Sequence, residues 1–147
     1  MKIQPKHALK EFQMSLERFR LVDLAFAINV GFKKKHELVE IRPQIAVAHK
    51  YDDKKKALDI RIKVTLSNGN TPFTFMVTGE GRFVFKAAPD KQTIANVANI
   101  NGPAIVFPYV RETIADMTRR AGFQPLHLQP INFVRLAAKK KQTAASP

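Results

Sequence analysis

The side chains that could carry acid–base or metal chemistry are scattered along this chain of 147 residues. No histidine has a second candidate ligand at metal-binding spacing; the four are His7, His36, His49 and His127. The chain has no cysteine, which excludes a thiolate metal site, a cysteine nucleophile and a disulfide framework. We therefore expect neither a metal nor another cofactor.

The other reactive residue types also occur in unremarkable settings. None of the three serines lies in a G-x-S-x-G turn, and Ser67 fits a turn between strands. The GEG stretch at 79–81 falls inside a predicted strand, whereas a phosphate-binding loop precedes a helix. Glu112 and Asp116 are four residues apart on a predicted helix, a spacing typical of a solvated face. The sequence thus predicts that the protein is not an enzyme.

The charge balance is the unusual bulk property. Lys and Arg number 25 against 12 Asp and Glu, a formal net charge of +13. Such an excess favours an anionic partner: nucleic acid, anionic lipid or an acidic protein. The lysine clusters at 33–35, 54–56 and 139–141 fall in separate parts of the chain and predict no continuous phosphate track. Solubility charge at loop tips is the other explanation.

No apolar run marks a signal peptide or a membrane span. The first fourteen residues, MKIQPKHALKEFQM, contain no continuous apolar stretch. No segment approaches the roughly 18 apolar residues that a spanning helix requires. The sequence therefore predicts a cytoplasmic protein.

Alternating apolar residues predict four β-strands. They cover residues 22–30, 38–49, 57–67 and 73–85. A change of phase at Leu21–Val22 indicates a bulge, and Gly79 and Gly81 predict a bulge or kink in the fourth strand. Pro43 cannot donate a ladder hydrogen bond, so the second strand is expected at an edge. The SNGN stretch at 67–70 predicts a hairpin turn.

Helical signals follow the strands. Asp90 is expected to cap a helix at 91–98, and a second helix after Gly102–Pro103 carries an apolar stripe of Val106, Val110, Ile114 and Met117. Pro108 either kinks that helix or marks its first turn. Short helices are also predicted at 5–14 and 131–140. Four strands followed by helices predict an α+β fold, an antiparallel sheet with helices packed on one face. We expect one domain over 1–147, with an N-terminal extension at 1–14 and a frayed basic tail at 137–147.

A long segment in the second half resembles a known family. The stretch IVFPYVRETIADMTRRAGFQPLHLQPINF at 105–133 is similar to the protein-export chaperone SecB, whose F-P-Y-x-R-E helix leads into an L-x-L-x-P-x-N-F loop. The strands in ALDIRIKVTLSNGNTPFTFMVTGEGRFVF at 57–85 also correspond, and the resemblance runs from about Phe19 to Leu136. It implies sheet order 1-4-3-2 with a long crossover, a homotetramer built as a dimer of dimers, and an ATP-independent holdase for unfolded or extended polypeptides in export.

The resemblance also assigns binding residues. Those expected to bind polypeptide are Phe73, Phe75, Val77, Leu126, Leu128 and Phe133, for which core or oligomer packing is the alternative explanation. Asp23 matches an acidic position that contacts the motor SecA, but Ala27 and Met76 stand at two other such positions. With the positive net charge, this predicts weak or absent SecA binding. Two alternatives stay open: a SecB-like chaperone for a toxin–antitoxin pair or another dedicated client, and a basic nucleic-acid-binding protein.

Overall fold

A four-stranded antiparallel sheet, with helices packed on one face, organises the chain. The computed structural model describes residues 13–33, 38–67 and 69–145. The strands are β1 (Met14–Ile28), β2 (Gln44–Asp52), β3 (Ala57–Leu66) and β4 (Phe73–Phe85), in the order β1-β4-β3-β2. The helices are α1 (Lys91–Asn96), a π-helical segment (Val97–Asn101), α2 (Gly102–Arg120) and α3 (Phe133–Ala145). The predicted α+β fold and the 1-4-3-2 order are confirmed.

The core lies between α2 and the two central strands. The alternation predicted for the third strand holds along all of β3, whose inward side chains are Leu58, Ile60, Ile62, Val64 and Leu66, each at most 2% exposed. Val106, Val110 and Ile114 of the predicted helix stripe are fully buried, and Met117 is partly buried. The inward side chains of the strands thus pack against the apolar stripe of α2, as expected from periods of two residues in a strand and 3.6 in a helix.

β1 carries two bulges that keep its apolar residues on the helix side. The register shifts between Leu21 and Asp23, which confirms the predicted bulge, and again between Leu16 and Arg18, which the sequence pattern did not reveal. An extra residue reverses the alternation of side chains along a strand. Two such insertions therefore keep positions 14–16, 19–21 and 24–28 in phase with the apolar face of β4.

The prediction that the first strand buries one apolar face is wrong. β1 begins at Met14 rather than residue 22, and Met14, expected in a helix at 5–14, opens it; the rest of that helix falls almost wholly outside the described residues. Leu24 and Ile28 are 47% and 51% exposed. They lie on the helix side of an edge strand, beyond the width that α2 covers. Leu24 and Ile28 therefore share one face of the strand, but no other described part of this chain buries them.

β2 is shorter than predicted at its start. It runs from Gln44 to Asp52, and residues 38–43 have no regular secondary structure. Pro43 directly precedes the strand, where its missing N–H removes no ladder bond. The predicted edge position is correct, since β2 pairs only with β3 among the described strands.

β4 pairs through Gly79 and Gly81 with no inserted residue of its own, so the predicted bulge in this strand is wrong. The glycines serve the approach of α2 instead. A Cβ on Gly79 would lie 2.5 Å from Val110 Cγ2 and 2.8 Å from Phe19 Cε2, and one on Gly81 would lie 2.5 Å from Val106 Cγ2. A helix can therefore sit on this strand only because two consecutive inward positions have no side chain.

The helical region is longer and less divided than predicted. Asp90 caps α1 as expected, its Oδ1 accepting from Thr93 N at 2.7 Å. The π-helical segment then carries the chain into α2 without a break at Gly102–Pro103. Pro108 lies inside α2, which rules out its being the first turn. Helix α3 continues to Ala145, so residues 137–145, expected as a frayed tail, are helical. No helix among the described residues is long and apolar enough to cross a membrane.

We predict that Gly79→Ala lowers the free energy of unfolding by about 1–3 kcal/mol, because Val110 and Phe19 must move to admit the methyl group. Urea denaturation at one fixed protein concentration measures this loss. Gly69→Ala is the matched control, since a Cβ there meets no atom within 4 Å. Equal midpoints for the two variants would show that α2 does not need the glycine.

Candidate functional site

The described residues bring no metal-binding cluster together. No group of three His, Cys, Asp or Glu side chains lies close enough to hold a metal ion within residues 13–33, 38–67 and 69–145. The surfaces of interest are therefore an apolar groove, an apolar patch beside β1 and a charged face of the sheet.

The apolar groove lies between the segment entering β2 and the loop after α2. Its volume is about 460 Å³. One wall is formed by Val39, Ile41, Pro43 and Ile45, and the other by residues 126–131. Apolar side chains dominate both walls, so the groove fits the side chains of another polypeptide better than it fits a charged ligand.

A buried threonine fixes the second wall. Thr118 is fully buried in the last turns of α2, and its Oγ1 donates to the carbonyl oxygens of Ile114 and Ala115 at 3.0 Å. The same Oγ1 accepts from Leu126 N at 2.9 Å. Gly122, with φ of +93°, turns the chain back after the helix in a conformation that glycine adopts without strain. The loop is therefore tied to the helix just before it enters the groove wall.

The structure separates the six predicted polypeptide-binding residues into two groups. Leu126 and Leu128 line the groove, although Leu128 is largely buried. The other four lie in the core beneath the surface, each at most 5% exposed: Phe73, Phe75, Val77 and Phe133. Phe133 packs edge-on against Phe107, with ring centroids 5.9 Å apart. Their burial matches the alternative of core packing, and their part in binding stays a prediction.

Four groove residues were missed by the sequence reasoning. Val39, Ile41, Pro43 and Ile45 form its first wall. Their shared alternation was visible, but it was interpreted as the buried face of a strand beginning at residue 38. The available signal was Pro43, because a proline has no N–H to donate and is typical of the position just before a strand begins.

A second apolar patch joins β1 to α2. Its apolar residues are Phe19, Leu21 and Leu24 of β1 with Tyr109 and Met117 of α2. Polar residues of α2 complete the lining: Glu112, Thr113, Asp116 and Arg120. The Tyr109 ring stacks on Phe19 at 4.8 Å and stays 45% exposed. Tyr109 thus gives α2 a second apolar direction beside its buried stripe, whereas Phe107 is buried. We call this surface the β1–α2 patch.

The opposite face of the sheet is ionic and centres on Glu80. This carboxylate is 3% exposed, with Arg20 Nε at 2.9 Å and Arg61 Nε at 2.6 Å. Arg18 Nη2 lies 3.7 Å away. The neighbouring Asp59 accepts two bonds from Arg82, at 2.8 and 2.9 Å. We call this surface, on the side of the sheet away from α2, the open face.

The arginines set the protonation of both carboxyls. Burial alone would raise the pKa of Glu80, but hydrogen bonds from Arg61 and Arg20 outweigh it and hold that pKa below its usual value. The hydrogen bonds from Arg82 lower the pKa of Asp59 in the same way. Both groups are therefore charged at neutral pH.

The positions that the resemblance related to SecA also lie on the open face. Asp23 pairs with Thr78, Ala25 with Met76 and Ala27 with Thr74. Asp23 is the single carboxylate in this part of the face, and the two other matching positions offer a methyl group and a thioether. The structure thus brings the three positions onto one surface, where they supply little negative charge.

A single-layer sheet with an apolar groove at one edge is typical of proteins that bind other polypeptides. This chain belongs to the SecB family, a family of chaperones. The family model described as "Preprotein translocase subunit SecB" matches residues 8–144.

Named relatives agree with that membership. A protein-export protein SecB of Methylobacillus flagellatus is 37% identical over 90 residues, which cover 59% of this chain and 57% of the relative. The chain therefore spans little more than half of that relative's length. A protein-export protein SecB of Psychrobacter cryohalolentis is 30% identical over 135 residues, covering 90% of this chain and 89% of the relative.

The fold has a match among solved structures. The SecB-like chaperone of Mycobacterium tuberculosis, solved in complex with a ChAD peptide from an antitoxin, superposes with a TM-score of 0.69. The two are 21% identical, and the match covers 81% of this chain and 91% of that one. At this identity the likeness concerns the fold.

We expect Glu80→Gln to lower the free energy of unfolding at pH 7 by about 1–3 kcal/mol, the usual range for hydrogen bonds to a charged group. Because the folded pKa of Glu80 lies below its unfolded value, its contribution is complete above the unfolded pKa and disappears as the pH falls through the folded one. The difference between wild type and variant should therefore shrink in acid.

Urea titrations at neutral and acidic pH measure that difference. Asp53→Asn, in the exposed β2–β3 turn, is the control for removing one carboxylate. A Glu80→Gln deficit that stays constant into acid would show that the carboxylate charge contributes nothing.

Proposed function

We propose that this protein is an ATP-independent holdase of the protein-export pathway that binds unfolded or extended polypeptides in the apolar groove. The groove beside the free edge of β2 is the observation that carries the proposal. Family membership and the names of the relatives support it. The Mycobacterium tuberculosis relative, solved with a peptide, supports polypeptide as the class of client.

Two kinds of contact would hold a client. An extended segment added to the edge of β2 gains main-chain hydrogen bonds, and alternate side chains of that segment enter the groove. The backbone at this edge can accept hydrogen bonds, since Lys140 Nζ lies 3.5 Å from the Val47 carbonyl oxygen. A client strand would replace that lysine.

The predicted binding residues take different parts in this proposal. Leu126 and Leu128 contact the client directly. The buried group of Phe73, Phe75, Val77 and Phe133 supports the groove from within the core. Binding of this kind needs apolar area and no reactive side chain, so we propose a single non-enzymatic domain without metal or cofactor, acting in the cytoplasm.

The holdase proposal predicts that the protein suppresses aggregation of a chemically denatured model substrate at near-stoichiometric ratio without ATP. The double variant Ile41→Ser/Leu126→Ser should lose most of that effect, because it removes apolar side chains from both walls. Light scattering of the diluted substrate measures both outcomes. Val134→Ser is the control, an exposed apolar residue of α3 outside the groove.

Wild-type protein that leaves aggregation unchanged over a range of ratios and salt concentrations would overturn the holdase function. Suppression by wild type that the double variant retains would instead move the binding surface away from the groove.

We further propose a homotetramer arranged as a dimer of dimers, and the β1–α2 patch supports it. Leu24 and Tyr109 are each more than 40% exposed and lie beside one another across the patch. Contiguous apolar surface of this kind marks an interaction site on a soluble protein. A second subunit would cover it.

Light scattering after size-exclusion chromatography should give about four times the chain mass of 16.6 kDa. Leu24→Asp should lower that mass, because a charge replaces an apolar contact in the patch. Val134→Asp, on α3, should leave it unchanged. A wild-type protein that elutes as a monomer at micromolar concentration would refute the assembly.

We propose that SecA is bound weakly or not at all, because Ala27 and Met76 stand on the open face where the family has carboxylates. The double variant Ala27→Glu/Met76→Glu should then strengthen SecA binding by about tenfold. Titration of SecA at low and moderate salt measures it. Gln92→Glu/Gln124→Glu, which adds the same charge elsewhere, should have a smaller effect.

Tight binding of SecA by the unaltered protein would show that the contact does not depend on these carboxylates. No response to the double variant would show that positions 27 and 76 are not part of a SecA site.

A further inference from the structure

The open face carries more positive charge than its carboxylates neutralise. Two neighbouring rows cross the four strands: Arg20, Glu80, Arg61 and Ala48 in one, and Arg18, Arg82, Asp59 and Lys50 in the other. Five cationic side chains in these rows therefore share two carboxylates. The excess is local, because one adjacent row contains one acid, Asp23, and one base, Lys63, and the other contains one acid, Asp52. Glu17, at a bulge of β1, adds a negative charge that acts on Arg82.

The two carboxylates use their arginines differently. Arg82 donates to Asp59 through both Nε and Nη2, so its outward-facing donors are largely engaged. Arg20 and Arg61 each donate to Glu80 through Nε. Within residues 13–33, 38–67 and 69–145, the Nη groups of Arg20 and Arg61 have no hydrogen-bond partner.

Glu80 thus acts as an anchor that orients guanidinium groups toward solvent. Arg18, Arg20 and Arg61 surround it with side chains that are 42%, 50% and 51% exposed. A guanidinium held by one edge presents its remaining N–H donors in a fixed fork, which suits carboxylate recognition. Less rotamer entropy is lost on binding than for a freely moving side chain.

A shallow hollow adjoins these donors. It measures about 440 Å³. Its lining combines the cationic Arg20, Arg61 and Lys50 with Ala48, His49 and the two arginine-bound carboxylates, Asp59 and Glu80. Ala48 is the member of its row on β2, and its small side chain leaves the space between Arg61 and the sheet edge open. The hollow can accept the acidic side chains of an extended segment.

We propose that the open face of the sheet is a docking site for an acidic polypeptide segment, held by the Nη groups of Arg18, Arg20 and Arg61. Charge complementarity identifies the occupant. The residues of these two rows include no aromatic side chain on which bases could stack, and the pair Asp52 and Ala57 separates the rows from the cationic turn at 54–56. An acidic segment of a partner protein fits this surface better than a nucleic acid does.

Fluorescence anisotropy of a labelled peptide of alternating Glu and Ser residues tests the site, since alternation places the acids on one side of an extended chain. We expect binding at low salt that weakens at moderate salt. The double variant Arg18→Gln/Arg61→Gln should weaken it roughly tenfold, while Arg20 still pairs with Glu80.

Lys54→Gln/Lys55→Gln is the matched control, because it removes the same charge from the β2–β3 turn and should change affinity by less than about twofold. Thermal unfolding shows whether each variant is folded. If the double variant does not fold, the single variant Arg18→Gln replaces it, because Arg18 makes no hydrogen bond to Glu80. A single-stranded oligonucleotide of equal charge is the competing probe.

Three outcomes would overturn the proposal. The first is no binding of the acidic peptide at low salt. The second is an equal loss in the lysine control, which would reveal a general field effect. The third is tighter binding of the oligonucleotide, lost in the arginine variants, which would assign the face to nucleic acid.

Discussion

The close approach of α2 to β4 at Gly79 and Gly81 is the constraint on which the rest of the structure depends. With no Cβ at these positions, Val106 and Val110 reach the sheet itself and become fully buried. Each fully buried side chain of this kind contributes about 1.5–3 kcal/mol relative to exposure. One helix seated so low seals the two central strands, but it is too narrow to cover four. The edge strands β1 and β2 therefore keep apolar surface, which becomes the β1–α2 patch on one side and the groove on the other.

The sheet also keeps two kinds of chemistry apart. The large apolar side chains of β3 and most of those of β4 point toward α2, with Ala57, Met76 and Val84 on the other side, and the ionic ones, including Glu80 and Asp59, point to the open face. The two bulges of β1 hold its longer sequence in the same phase. The groove and the arginine-rich surface consequently lie on opposite sides of one layer. A client in the groove and a partner on the open face would not compete for the same residues.

The sequence predicted what depends on local patterns and missed what depends on neighbours. Alternation along 57–67 gave β3, and Asp90 gave the start of α1, because a period and a cap are written in adjacent residues. Gly79 and Gly81 were interpreted as a bulge or kink, since their role, to admit α2 close to the strand, depends on a helix that lies later in the chain. The exposed apolar face of β1 was predicted as buried because alternation cannot distinguish a core contact from an apolar surface that stays exposed in this chain. The Glu80 cluster was missed since its arginines come from two other strands, β1 and β3. The first groove wall was missed because its alternating apolar residues resemble a strand.

The Thr118 hydroxyl joins the groove to the helix that forms the core. It closes the last turns of α2 and holds the Leu126 amide at the same time. The groove wall consequently cannot open outward while the end of α2 stays intact, because the loop would have to abandon a bond within the buried interior. Hydrogen exchange at the Leu126 amide should then follow the opening of α2 rather than the faster motion of a surface loop. The groove wall that begins at Leu126 is thus coupled to the core, and its position depends on the stability of the last turns of α2.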